Sequence, residues 1–111
     1  MVVHGSPTWL ERLANALGEQ FKAEDYHTLG KAQKVYLEHP NGFDVVIAPR
    51  ALNYPSDGVN WLKELREERG QKVILLSPYP EGDMPRHDFD KATFSSKALL
   101  EFVHKVLSSD P

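Results

Sequence analysis

The chain has 111 residues, of which 26% are charged and 41% belong to the apolar and aromatic types, so it has the composition of one globular domain and not of a disordered segment. The absence of cysteine excludes disulfides, thiolate nucleophiles and cysteine-ligated zinc. A formal net charge of -3 favours neither nucleic acid nor an anionic membrane as partner. The apolar runs are too short to span a bilayer and no secretory signal pattern opens the chain, so we expect a cytoplasmic protein.

The first predicted elements are a very short strand at Val2–Val3 and a helix that begins after Ser6. The Ser6 hydroxyl can cap free backbone N–H groups, and Pro7 is tolerated in the first turn of a helix. Apolar residues then recur at spacings of three and four, which puts them on one helical stripe: Trp9, Leu10, Leu13, Leu17 and Phe21. The helix is therefore predicted to continue past Gly18.

Two strands in the middle of the chain are predicted to be buried on both faces. Residues 43–48 and 72–77 form short runs that are rich in β-branched residues and have no polar alternation, which is typical of central strands in a parallel sheet. Between and before them, the pattern predicts an edge strand over 25–29, a helix over 31–38, and a helix that begins at Asp57-Gly58 and stops at Gly70.

The last predicted elements are a strand over 88–93 and a helix over 96–107. Only nine residues separate Ser77 from His87, and Pro78, Pro80 and Pro85 are among them, so this connection is predicted to be a loop. The order predicts one α/β domain over residues 1–111: a doubly wound, five-stranded parallel sheet in a three-layer sandwich, with the fourth helix short or missing.

Five segments in order carry a family resemblance: Val3–Leu13, Asp44–Ile47, Asp57–Arg66, Val73–Ser77 and Phe94–Leu100. They resemble, respectively, strand 1 with the start of helix 1, strand 3, the start of helix 3, strand 4 and the entry to the last helix of the receiver domain of bacterial response regulators. Receivers have the flavodoxin-like (CheY-like) fold. The resemblance therefore implies a signalling domain of a two-component system or phosphorelay.

The same resemblance places the family's phosphorylation pocket on residues that lack its chemistry. The acidic pair becomes His4 and Gly5, the phosphorylated aspartate becomes Ala48 or Pro49, the lysine becomes Ala92, and Ser77 is kept. Alanine and proline offer no carboxylate to a phosphoryl donor, and Mg²⁺ prefers hard oxygen ligands. We therefore expect a pseudo-receiver with no cofactor, no metal and no enzymatic activity.

Partners are expected to be another signalling protein or an output domain. The residues expected on that surface are aromatic or methionine side chains near prolines, or on the last strand and helix: Tyr79, Met84, Phe89 and Phe102. The same surface would also allow a homodimer, since the last helix belongs to the output and dimer face in receivers. For Tyr79 an equally good interpretation is that it folds back onto the sheet.

Two other functions fit parts of the sequence. One is a small ligand-binding module in which His4, Arg50 and Ser77 line a crevice for an anion or a nucleotide. The other is a hydrolase with Ser77 as nucleophile, His4 as base and Asp57 as orienting group. The hydrolase is disfavoured because Leu76-Ser77-Pro78 lacks the glycines of a nucleophile elbow.

Overall fold

The structure is a computed structural model that describes residues 1–18, 20–77, 87–90 and 94–108. Five strands and four helices lie within these ranges. They are β1 (Val2–Val3), α1 (Pro7–Leu17), β2 (Asp25–Tyr26), α2 (Leu29–Glu38), β3 (Val46–Pro49), α3 (Asp57–Arg69), β4 (Val73–Ser77), β5 (Asp88–Asp90) and α4 (Ser96–Ser108).

All strand pairs are parallel, and the strand order across the sheet is β2-β1-β3-β4-β5. Helices α1 and α4 pack on one face of the sheet, and α2 and α3 pack on the other. The predicted fold class, a doubly wound five-stranded sheet between two helical layers, is confirmed. Residues 78–86, which bear on the prediction of a short or missing fourth helix, lie outside the described residues.

The central strands are buried on both faces, as predicted. Every residue of β3 and β4 is buried, and the side chains alternate between the two cores. Val46 and Ala48 contact the α2/α3 core, whereas Ile47 joins the α1/α4 core. The strand begins at Val46 and not at residue 43, because Asp44 is exposed and only the later residues pair with β4.

Helix α1 begins as predicted but ends earlier. The Ser6 hydroxyl accepts a hydrogen bond from the Trp9 backbone N–H at 3.4 Å, which is the expected N-cap. The helix stops at Leu17, so the prediction that it runs to Phe21 is wrong. Glycine is a poor helix former, and Gly18 is the C-cap. Phe21 still packs against the α1/α4 core from the turn that follows.

The end of β2 and the start of α2 lie two to three residues earlier than predicted. β2 spans only Asp25–Tyr26, because Thr28 is the N-cap of α2 and its hydroxyl accepts the Lys31 N–H at 3.3 Å. Helix α2 therefore begins at Leu29, two residues earlier than predicted. Threonine is favoured as the N-cap residue directly before a helix, and a residue in that role does not extend the preceding strand.

Candidate functional site

The carboxyl ends of four strands meet along one edge of the sheet. His4 follows β1, Pro49 ends β3, Ser77 ends β4 and Asp90 ends β5. Pro49 pairs with Leu76, and Ser77 pairs with Asp90. Because all the strands are parallel, this is the edge at which doubly wound folds bind ligands. His4, Arg50 and Ser77 thus follow or end strands at the same edge, and the crevice expected there stays a prediction.

His4 is held in place by its own loop. Its side chain is buried, and Nδ1 accepts a hydrogen bond from the Ser6 backbone N–H at 3.0 Å. The neutral ring therefore carries its proton on Nε2. The imidazole also stacks on Trp9, with ring centroids 6.0 Å apart and planes 16° from parallel. The backbone and the indole together fix the orientation of this ring.

An aromatic stack with a guanidinium covers the α1 and α4 side of the edge. Trp9 meets Phe94 edge to face with centroids 5.3 Å apart, and the Arg12 guanidinium lies 4.5 Å from the Trp9 centroid and 4.6 Å from that of Phe94. Trp9 and Arg12 are three residues apart on one helix, so their contact was predictable from spacing. Phe94 comes from a distant segment, and no sequence signal places it there.

The β3–α3 loop is organised by one carboxylate. Asp57 accepts backbone N–H groups from Leu52 at 2.6 Å, Asn53 at 2.9 Å and Tyr54 at 3.0 Å. Burial would raise the pKa of the Asp57 carboxyl, but these hydrogen bonds and one from the Gly58 N–H outweigh it and lower the pKa. Asp57 is therefore ionised, and its carboxylate oxygens accept hydrogen bonds from the loop backbone.

The arrangement of these groups is not that of a hydrolytic triad. A triad needs the histidine Nδ1–H to donate to the carboxylate, but Nδ1 of His4 accepts a backbone N–H instead. The Asp57 oxygens are likewise committed to the backbone. The pair His4 and Asp57 thus lacks the hydrogen bond through which Asp57 would orient the base.

Close packing fixes the start of α3 against the end of β3. A Cβ at Gly58 would overlap the Pro49 carbonyl oxygen and lie 3.1 Å from that of Arg50. The Val59 N–H donates to the Arg50 carbonyl at 3.1 Å. Ser56 adopts φ 62°, a left-handed conformation that is uncommon for a residue with a side chain. The loop that leaves β3 therefore has a fixed course.

The other predicted pocket residues are placed as follows. Ala48 is fully buried in the α2/α3 core and Pro49 is buried beside it, and neither side chain contains an oxygen atom. Gly5 is exposed, and Ser77 is 3% exposed. Ala92 lies outside the described residues.

Of the four residues expected on a partner surface, two can be placed. Phe89 is only 5% exposed and packs edge to face against Phe102 at 5.5 Å, so its expected exposure is wrong. Alternation along β5 turns it into the α1/α4 core. Phe102 is half-buried. Tyr79 and Met84 lie outside the described residues.

His87 stands directly before β5. His87 is buried, and its Nδ1 lies 3.0 Å from the Val73 carbonyl oxygen, to which it donates. Within residues 1–18, 20–77, 87–90 and 94–108, no three histidine, aspartate or glutamate side chains are grouped so as to hold a metal ion. In these same ranges no helix has the length and apolarity to cross a membrane.

Comparison with known proteins identifies the fold. The response regulator domain of Thermotoga maritima CheB is 18% identical, with 99% of this chain and 96% of that one covered and a TM-score of 0.78. A response regulator receiver domain protein from Clostridium thermocellum is 17% identical over 96% of this chain and 90% of that one, with a TM-score of 0.77. The non-phosphorylated HemR receiver domain from Leptospira biflexa is 19% identical over 99% and 94%, with a TM-score of 0.75.

Sequence comparison adds nothing to this structural likeness. No protein-family model matches the chain, and no curated protein matches it. At these identities the likeness concerns the fold alone. The chain has the five-stranded, CheY-like fold of response regulator receiver domains.

Proposed function

We propose that this chain is a receiver-like signalling domain that acts by binding another protein of a two-component or phosphorelay pathway, without phosphorylation of an aspartate. One observation carries the proposal. The chain has the receiver fold, but at the carboxyl edge of its sheet β1 runs into His4 and Gly5 and β3 ends at Pro49. These are the positions that the resemblance assigns to the metal-binding acidic pair and, with Ala48, to the phosphorylated aspartate.

The chemistry of phosphoryl transfer supports the proposal. Transfer to a carboxylate requires a carboxylate nucleophile, and a divalent cation normally stabilises the charge on the phosphoryl oxygens. Neither Ala48 nor Pro49 supplies the nucleophile, and His4 offers a nitrogen where Mg²⁺ prefers oxygen. Asp57 is acidic and stands near this edge, but its oxygens accept hydrogen bonds from residues 52–54.

Hydrogen bonds and a ring contact hold His4 and the β3–α3 loop in place at this edge. The His4 ring is held by the Ser6 N–H and by Trp9, and the β3–α3 loop is held by Asp57. A switch requires two arrangements whose equilibrium a ligand or modification biases. Within the described residues, these contacts support one arrangement of the His4 ring and of the β3–α3 loop. We therefore propose that the partner recognises this domain in a single conformation.

Amide NMR spectra of the chain with Mg²⁺ and beryllofluoride, which mimics the phosphoryl group, test the proposal. We expect no concerted shift of His4, Ala48 and Ser77, because Ala48 and Pro49 carry no carboxylate at the position where the mimic needs one. The control is a receiver domain that carries the aspartate, in which the same addition shifts the corresponding signals. A saturable shift clustered at these three residues would overturn the proposal.

The second candidate function is an anion- or nucleotide-binding module at the same edge. The observation that favours it is the exposed side chain of Arg50, which directly follows β3 at the edge shared with His4 and Ser77. The same NMR titration has a metal-free arm with phosphate, sulfate and nucleotides. Shifts that saturate at micromolar ligand and disappear in Arg50→Gln would favour this candidate; their absence favours the signalling domain.

A further inference from the structure

A groove lies between α2 and α3, on the face of the sheet away from α1 and α4. It has a volume of about 260 Å³, and its floor is formed by Tyr36, Trp61 and Leu65. Arg69 lies at the groove with its guanidinium 5.8 Å from the Tyr36 ring centroid. Tyr36 and Trp61 are themselves buried in the α2/α3 core, so the exposed groups at the groove are Leu37, Glu64 and Arg69.

The floor of the groove is rigid. The Tyr36 hydroxyl donates to the Gln71 side-chain oxygen at 2.9 Å, and the Gln71 amide in turn donates to the Phe43 carbonyl at 3.1 Å. The Tyr36 and Trp61 rings meet edge to face with centroids 6.2 Å apart. A partner would therefore meet a preformed surface and would not need to order these side chains.

One wall of the groove carries an exposed apolar side chain. Leu37 on α2 is 66% exposed. In the part of the chain that the structure describes, the only other large apolar residue so exposed is Tyr54, at 75%, on the β3–α3 loop. Leu37 thus stands beside a rigid aromatic depression of a size suited to an apolar side chain.

The exposed charges beside the groove are of both signs, with Lys34 on α2 and with Glu64, Glu68 and Arg69 on α3. Lys34 lies on α2, one turn before Leu37, whereas Glu64 and Glu68 lie one turn apart on α3. By helical periodicity, Lys34 neighbours Leu37, and Glu64 and Glu68 share the side of α3 on which Trp61 lies. A partner for this groove would thus present a leucine with a lysine beside it.

Helix α2 of this chain has that combination. We propose that the α2/α3 groove is the interface of a two-fold symmetric dimer of this chain. Leu37 of each copy enters the groove of the other, and Lys34 of each copy lies against Glu64 and Glu68 of the other. A two-fold interface is self-complementary and satisfies both grooves at once. The proposal goes beyond the proposed function, because it uses no residue of the carboxyl edge.

Sedimentation equilibrium over a range of concentrations tests the apolar contact. We expect a reversible dimer, and Leu37→Asp should raise its Kd by about thirtyfold or more, because it removes a buried leucine and introduces a charge. The matched control is Tyr54→Asp, which removes the other exposed apolar side chain and should leave the Kd unchanged. Circular dichroism verifies that each variant is folded.

Reversing the charges of Lys34 and of Glu64 and Glu68 tests whether these side chains face each other in the dimer. Lys34→Glu alone and Glu64→Lys/Glu68→Lys alone should each be monomeric at concentrations at which the wild type dimerises. Mixed in equal amounts, they should form a heterodimer. In that mixture, residue 34 of each variant faces residues of opposite charge at positions 64 and 68 of the other. Lys105→Glu, on the exposed side of α4, is the charge control and should dimerise normally.

Several results would overturn the dimer. They are a wild-type chain that stays monomeric at all concentrations, a dimer that Leu37→Asp leaves intact, and exchanged variants that do not associate when mixed. A monomer whose groove signals shift only when a different protein is added would assign the groove to that protein and overturn the dimer as well. None of these results affects the proposal on phosphorylation, which the beryllofluoride titration tests separately.

Discussion

Asp57 shows how a residue that looks catalytic in the sequence can have a structural role. An aspartate near the carboxyl edge of an α/β sheet is a natural candidate for an acid, a base or a metal ligand. Its carboxylate instead accepts the backbone N–H groups of Leu52, Asn53 and Tyr54. The sequence pattern Asp-Gly correctly predicts the start of α3. It does not reveal that the aspartate also organises the preceding loop, because that depends on the course of the loop.

The lowered pKa of Asp57 predicts how stability depends on pH. The folded state favours the ionised carboxyl, so its contribution is present above the ordinary pKa of 3.8 and is lost as the pH falls through the lower folded-state value. Asp57→Asn should therefore reduce the free energy of unfolding at neutral pH by about 1–3 kcal/mol, the typical effect of lost charge-assisted hydrogen bonds. Urea unfolding of both chains from pH 7 to pH 2 measures this difference.

The difference between the two chains should shrink toward the acid end of that range, because the wild-type carboxyl becomes protonated there. Asp44→Asn is the control, since Asp44 is exposed and lies before the amino end of β3, away from the β3–α3 loop. A difference between wild type and Asp57→Asn that stays constant across the pH range would contradict this account of the loop.

For His4 and Trp9, the position along the chain was predictable but the side-chain contacts were not. The sequence placed His4 at the end of β1, and the structure puts it there. The hydrogen bond from the Ser6 N–H to Nδ1 and the stack on Trp9 decide what the ring can do, and neither follows from spacing along the chain. Such contacts depend on side-chain conformations that only the folded loop fixes.

At the scale of elements, burial patterns were more informative than boundaries. The continuous apolar runs correctly predicted β3 and β4 as central strands, and Gly70 correctly predicted the end of α3, where it adopts φ 63°. The errors lie at the ends of elements. Phe21 continued the apolar stripe of α1 and was assigned to it, because a residue can reach the core from a turn as well as from a helix.

The close contact between β3 and α3 predicts that one substitution at this contact strongly lowers the stability of the chain. Gly58→Ala should lower the free energy of unfolding by about 3 kcal/mol or more, since the new Cβ overlaps the Pro49 carbonyl oxygen and the backbone must shift. Gly30→Ala is the matched control. No atom lies within 4 Å of a Cβ at Gly30, which is in α2, so this change should stabilise the chain by about 0.5–1 kcal/mol.

Chemical denaturation of the two glycine variants beside the wild type measures both effects. The predicted order of stability is Gly30→Ala above wild type and wild type above Gly58→Ala. Equal stability of Gly58→Ala and wild type would mean that α3 does not approach β3 as closely as the structure shows.

At the scale of the whole molecule, the fold was predictable although the sequence is only 17–19% identical to receiver domains that share it. The order of strands and helices, the two doubly covered strands and the Asp-Gly start of α3 are features of pattern and not of identity. They specify layers and connections, which chains with few identical residues can share. The same features carry no information about chemistry, because chemistry depends on a few side chains at one edge.

The whole molecule therefore combines the fold of response regulator receiver domains with His4, Gly5 and Pro49 at the carboxyl edge of its sheet. The α2/α3 groove lies on a helical face that the sequence pattern did not single out, because Leu37 is one apolar residue on an otherwise polar side of α2. Leu37 lies beside Trp61 and Leu65 because α2 and α3 pack side by side, which the sequence pattern does not specify.

The most direct test of the central claim is intact-mass spectrometry after incubation with acetyl phosphate and Mg²⁺, with an aspartate-bearing receiver domain treated in parallel. We predict an unchanged mass for this chain at times when the parallel sample carries a phosphoryl group. A phosphoryl adduct on this chain that hydroxylamine removes, as it removes an acyl phosphate, would contradict the account.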